Sequence, residues 1–344
     1  MGLAAVLLAV AAGAYTLYWY GAAEIAKEAL AVWADDRRDE GFTVDYGDVE
    51  VTGFPFSFQV RIGQPAFGQA FVPAWTWRTE QLTARARPWS PNRFTITAAA
   101  DHDVEYTARG VRQRARASSS DMRFDVVLRG GVVERITARS RDLRIAVEGL
   151  TGSFGAARID IRYQVDGIGA GGVRGPSLAL AATEIVLPFD ELENLGIGGR
   201  IARFGAAATL TGPLTAGPFD RAVTAWRDGG GAININTLRL EWGDLRLDGD
   251  GTIALDDSFR PIGALTTRVL GVSETINALR DAGTLSPREA AIARITLRVL
   301  AGASEGGKML LPVTAQFGKL YVGPVAVLEI PPLIVPARRP PPRD

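Results

Sequence analysis

The chain has no cysteine. It can therefore form no disulfide, offer no thiolate nucleophile and build no cysteine metal site. It has one histidine, His102, among 344 residues. Any histidine-based metal site or hydrolytic triad would have to use that ring, and no Gly-x-Ser-x-Gly elbow supplies a nucleophile. There is also no surplus of charge: Lys plus Arg and Asp plus Glu are 38 each. That balance argues against nucleic acid as the main partner, because neutralising phosphates requires a basic excess. Lysine itself is scarce, limited to Lys27, Lys308 and Lys319, so arginine carries almost all the positive charge.

Long apolar runs are missing everywhere except at the start. Gly2 to Ala23 contains no charged residue. That is close to the ~20 residues a helix needs to cross a ~30 Å hydrocarbon core. Tyr15, Tyr18, Trp19 and Tyr20 crowd its C-terminal end, the placement of an interfacial aromatic belt. We read residues 1–23 as a transmembrane anchor rather than a cleaved leader cut near Ala12-Gly13-Ala14, because the apolar stretch continues past that site. No basic residue precedes the segment, so loop charge does not set its orientation. Residues 24–40 continue as helix, with Ile25, Ala29, Val32 and Trp33 at helical spacing, and Gly41 marks the stop.

Beyond Gly41 the hydrophobic period changes to two. Segments such as FSFQVRI, RFTITA, ARIDIRYQV and ININTLRLEW interleave apolar with polar residues. Alternation sends one row of side chains to each face of a sheet. The expected fold is mainly β: a large curved antiparallel sheet, an open half-barrel or stacked sheets, with a few covering helices. The helices are Asp220–Arg227, Ser273–Asp281 with Ser273 as cap, and one opened by the capping box Ser286-Pro287-Arg288-Glu289. The β-rich body spans residues 41–330, with a soft boundary near residues 167–176. A Pro-rich tail, residues 331–344, is expected to be disordered.

Most local motifs have a structural reading. Gly53-Phe54-Pro55-Phe56 reads as a β corner whose rings enter the core. Asp248-Gly249-Asp250-Gly251 reads as a hairpin turn, since the calcium-loop spacing is absent. Gly167 to Gly172 reads as a loop. Trp75 and Trp77 share a strand face, with core packing as their role. Asp101-His102-Asp103 does not suit a metal, because neighbours on a strand point to opposite faces. The arginine-rich runs Ala84–Arg87, Arg109–Arg116 and Arg135–Arg144 could meet anionic head groups. Arginine alternates with small or apolar residues in most of them, so a solvated sheet face is the simpler reading.

Taken in order, several motifs resemble the bacterial DUF2125 family. They are Gly53-Phe54-Pro55-Phe56 after VEVT, Trp226-Arg227-Asp228-Gly229-Gly230, Glu241-Trp242-Gly243-Asp244, Arg260-Pro261-Ile262-Gly263, and Gly323-Pro324 followed by Pro331-Pro332. The resemblance covers nearly the whole chain. It implies an anchored envelope protein and brings no catalytic residues. A looser, fold-level likeness is to AsmA-type and bridge-like envelope proteins.

The amphipathic strands outnumber the helices that could cover them. An available apolar face beside a bilayer would suit acyl chains. The expectation is a non-enzymatic inner-membrane protein, single-pass, with its body in the periplasm, binding or shuttling lipid. No cofactor is expected. The alternatives are an assembly protein that binds another envelope protein, and a carboxylate-based hydrolase.

Overall fold

The computed structural model describes residues 2–69, 74–108, 110–148, 150–163, 174–187, 197–215, 219–300, 308–323 and 325–333. It is mainly β, with four helices among the described residues and antiparallel pairing throughout. The chain divides into two compact units, Met1–Thr151 and Gly152–Asp344. That division precedes the glycine-rich stretch at 167–176, of which residues 167–173 lie outside the described set, as do residues 334–344 of the tail.

The first unit opens with helix α1 (Gly2–Asp39). Eleven strands follow: β1 (Phe42–Asp45), β2 (Val49–Thr52), β3 (Phe58–Gly63), β4 (Ala66–Gln69), β5 (Trp75–Thr79), β6 (Gln81–Arg87), β7 (Ser90–Ala98), β8 (Asp101–Ala108), β9 (Val111–Ser118), β10 (Asp121–Arg129) and β11 (Val132–Val147). Their pairing is simpler than their number suggests. β2 pairs with β3, β3 with β6, β6 with β7, β7 with β10 and β10 with β11. In parallel, β1 pairs with β4, β4 with β5, β5 with β8, β8 with β9, and β9 with the end of β11. The unit is thus a meander of six long strands, each bent near its middle.

The bends line up across the sheet. They fall at Gly47-Asp48, Gln64-Pro65, Glu80, Ala99-Ala100, Ser119-Ser120 and Asp142. Gln64 and Asp142 take left-handed backbone, with φ of 45° and 48°. The ladder survives the crease: Gly63 N–H bonds Asp48 O, Gln64 N–H bonds Glu80 O, Ala99 N–H bonds Gln81 O, and Ser119 N–H bonds Ala100 O, all at 2.8–3.0 Å. A bend that kept no hydrogen bonds would strand buried backbone groups, so the kinks must stack in register.

The second unit is a nine-strand meander: β12 (Leu150–Arg162), β13 (Arg174–Val186), β14 (Arg200–Thr211), β15 (Ala232–Trp242), β16 (Leu245–Leu255), β17 (Pro261–Leu270), β18 (Met309–Gln316), β19 (Lys319–Val322) and β20 (Val325–Glu329). Each strand pairs with the next, and the described ladder does not close into a barrel. Helix α2 (Phe219–Asp228) lies between β14 and β15, and α3 (Val272–Asp281) with α4 (Pro287–Leu300) between β17 and β18.

Register sorts this sheet into two faces. One carries apolar rows: Ile159–Leu180–Ala206–Leu238–Gly249–Thr267–Leu311, and beside it Ile161–Leu178–Ala208–Ile235–Gly251–Leu265–Val313. The other carries charge, with Arg239–Asp248, Lys308–Asp248, Arg268–Asp250 and Arg203–Glu241 pairs. Helices α3 and α4 pack over β16 and β18, where Val269, Leu311, Ile276 and Ala290 are buried. Over β12 to β14 the same rows stay only half-covered, and Ile159 is exposed.

Two local expectations are corrected. Asp248 to Gly251 is no turn: it lies inside β16, with the aspartates on the charged face and the glycines in the apolar rows, so the D-G-D-G order is itself strand alternation. Helix α3 is capped by Gly271 without a side-chain bond, two residues before Ser273. In α1 the buried residues are Trp19, Ala23 and Ala34, while Ile25, Val32 and Trp33 are exposed. The capping box forms as read: Glu289 N–H bonds Ser286 Oγ at 3.3 Å and Ser286 N–H bonds Glu289 Oε2 at 2.9 Å. Those contacts with Ser286 hold Glu289 below the usual carboxylate range.

Gly251 tests the packing of the apolar rows. A Cβ there would sit 2.2 Å from Ala264 O and 2.7 Å from Leu265 Cα, both backbone atoms. Gly251→Ala should therefore destabilise the fold by about 1–3 kcal/mol through forced backbone shifts, measured by denaturant unfolding.

Candidate functional site

The end of the first unit where α1 leaves the sheet concentrates most of the residues singled out by sequence. Trp19 is 3% exposed and stacks on Phe58 at 5.3 Å. With Ala23 and Phe58 it forms a small core, backed by Val51. Its indole N–H bonds Ser57 O at 3.2 Å. Tyr15 donates its hydroxyl to Pro55 O, and Tyr18 to Pro88 O at 3.1 Å. Trp19 therefore faces protein, whereas the rings of Tyr18 and Tyr20 remain largely exposed.

The loop that receives them is Gly53 to Ser57. Gly53 has φ of 102°, and Ser57 N–H bonds its carbonyl at 2.9 Å. A Cβ at Gly53 would meet Ser57 Oγ at 2.4 Å, so the tight loop needs glycine. The Phe54–Pro55 bond is cis. Contrary to expectation, the two phenylalanines do not enter the core. Phe54 leans on Tyr15, Trp19 and Tyr20, and Phe56 is 73% exposed. The core position is taken by Phe58, two residues on.

N-terminal to Tyr15, Val10 to Ala14 are all exposed. Gly2 to Ala14 amounts to about 20 Å of helix at 1.5 Å per residue. Among the described residues, no helix is long and apolar enough to cross a membrane.

Trp242, Gly243 and Asp244 lie elsewhere, at the β15–β16 turn. Trp242 donates to Gly198 O at 2.6 Å, and Asp244 O lies where a Cβ on Gly271 would fall. These residues tie a turn to its neighbours and gather no reactive groups.

The crease holds the remaining chemistry. His102 is 3% exposed, ring-stacked with Trp77 at 5.9 Å, and neither ring nitrogen has a hydrogen-bond partner among the described residues. Desolvation by this burial lowers its pKa, with Asp101 opposing weakly. By strand alternation His102 shares a face with Thr79 and Ala117, its partners in register, and Asp101 and Asp103 lie on the opposite face. A cleft of about 500 Å³ is lined by Asp101, Asp103, Arg116, Ser118 and Arg144, among others. Along β8 and β9, Arg114 meets Glu105 at 2.7 Å and Arg116 meets Asp103 at 3.6 Å. The hydrogen bond from Arg114 holds Glu105 below the usual carboxylate range. The second half of the 109–116 run is therefore an ion-paired sheet face, and Arg109 is outside the described residues. No three His, Asp or Glu side chains among the described residues converge on a metal-sized site.

The family model described as "Uncharacterized protein conserved in bacteria (DUF2125)" matches residues 19–331. The chain belongs to the DUF2125 family. No curated protein and no solved structure matches it. The DUF2125 match begins at Trp19, the residue that docks α1 on the sheet, and reaches Pro331, just past β20.

Two predictions follow from these contacts. Trp19→Ala should cost about 3–5 kcal/mol and raise hydrogen exchange along the second half of α1, because it removes the ring that fixes the helix. His102 has its pKa lowered in the folded state from 6.5. Protonation therefore favours the unfolded chain: the contribution is complete above the unfolded value and is lost as pH falls below it towards the folded value. Unfolding midpoints measured from pH 7.5 to 5 should fall for wild type and stay flatter for His102→Phe.

Proposed function

We propose that this DUF2125 protein is a non-enzymatic, membrane-anchored envelope protein that binds or shuttles lipid through an apolar sheet face. The carrying observation is the pair of apolar rows in the second unit, covered over β16 to β18 by α3 and α4 but only half-covered over β12 to β14. Each methylene taken from water contributes about 0.8 kcal/mol, so an acyl chain laid along such rows is held without any polar recognition. Alanine at Ala206 and Ala208 keeps the surface of β14 low enough to admit a chain.

The N-terminal end of α1 is the anchor in this reading, inserted in the inner membrane with the body in the periplasm. Its support is the uncharged sequence from Gly2 and the exposure of Val10 to Ala14. The resemblance in style to AsmA-type and bridge-like proteins agrees with a lipid role, as a fold-level analogy. An assembly role has one observation in its favour: Leu17, Ile25 and Val32 form an exposed apolar stripe on α1 that a partner helix could cover.

Native mass spectrometry of the full chain, extracted from its own membranes, tests the lipid reading. Phospholipid should stay bound to wild type and be lost from Leu238→Glu, which puts a charge into the central row, while circular dichroism stays β-rich. Ligand-free wild type with no uptake of fluorescent lipid would count against it.

A further inference from the structure

The end of the first unit where α1 departs carries a second feature. Three turns of the meander emerge there: Gly53–Ser57 after β2, Pro88-Trp89 after β6, and Gly130-Gly131 after β10. Register puts them side by side, since Phe58 pairs with Ala86, Ala86 with Phe94, and Phe94 with Val126. Each turn displays an apolar side chain to solvent: Phe56 at 73%, Trp89 at 64% and Val132 at 59% exposure. Tyr15 and Tyr18 bond Pro55 O and Pro88 O, so two of these turns flank the base of the projecting helix.

Beside Trp89 lies a cleft of about 360 Å³ lined by Arg85, Arg87, Arg93, Ser90 and Thr95. Among the described residues more than half of the arginines meet a carboxylate, as Arg61, Arg114, Arg139 and Arg203 do. These three do not. Among the described residues Arg87 and Arg93 have no ion-pair partner, and Arg85 reaches only the Gln59 amide oxygen at 2.9 Å. Three unneutralised guanidinium groups next to exposed aromatic and aliphatic tips match an anionic lipid surface: phosphate for the arginines, interface for the rings.

We propose that this end of the sheet docks on anionic phospholipid, with Arg85, Arg87 and Arg93 taking head-group phosphate and Phe56 and Trp89 entering the interface. The inference rests on the reading of α1 as membrane-inserted. Docking would hold the sheet's end against the bilayer, so that the anchor alone does not set the body's position.

The full chain reconstituted into vesicles tests it. Vesicles are zwitterionic, or contain about a third phosphatidylglycerol, and carry brominated acyl chains that quench tryptophan. The Trp89 component is the difference between wild type and Trp89→Phe. It should be quenched in anionic vesicles at low salt, and released at ~1 M salt, where the Debye length is about 3 Å. Arg87→Gln/Arg93→Gln should lose it, each arginine contributing roughly fivefold to surface affinity. Quenching that is absent, or equal in zwitterionic vesicles and in the double variant, while the chain still floats with the vesicles, overturns the docking site alone. A chain that floats with no vesicle overturns the anchor, and the docking site with it.

Discussion

Strand alternation is the constraint from which the rest follows. A ladder must send successive side chains to opposite faces, and this sequence keeps that period over most of its strands. Each unit therefore has one apolar and one charged face, and the charged face needs no cover. Ion pairs such as Arg239–Asp248 and Arg114–Glu105 sit in water on that face and contribute little to stability. The apolar face does need cover, and the helices supply it only in part. In the first unit, α1 lays Trp19, Ala23 and Ala34 on it. In the second, α3 and α4 cover the β16–β18 end.

The two ends of α1 perform different tasks. From Tyr15 onward the helix is a structural member, pinned by the Trp19–Phe58 stack and by tyrosine bonds to two turns. Before Tyr15 it projects. The same turns that hold its base carry exposed rings, and beside them lie Arg87 and Arg93, which have no ion-pair partner among the described residues.

Much of this was legible in sequence, because period two is a local signal. The strands, the single long first helix, the capping box at Ser286 and the paired faces could be read from residue order. Other features depend on register, which no local window contains. The crease is invisible because each bend is only one or two residues, such as Gln64-Pro65 or Asp142, and matters only when all align. Asp248 to Gly251 misled because glycine usually marks turns, whereas here it lets backbones approach inside a strand. Phe54 and Phe56 misled because phenylalanine is usually buried. The Ala84–Arg87 run looked like any solvated strand face, and Arg93 drew no notice. Only the fold shows that, among the described residues, no carboxylate stands opposite them.

The central claim is that the half-covered apolar rows meet lipid. The most direct measurement places a photo-crosslinking benzoyl-phenylalanine at Leu180, in an apolar row of β13, or at its neighbour Ala181, which pairs with Arg158 and Gly205 on the charged face. The two sites are adjacent along the chain, yet their side chains lie on opposite faces of the sheet. Irradiation in native membranes should give phospholipid adducts at position 180 and few at 181. Equal adducts at both positions, or none at 180, would contradict the account.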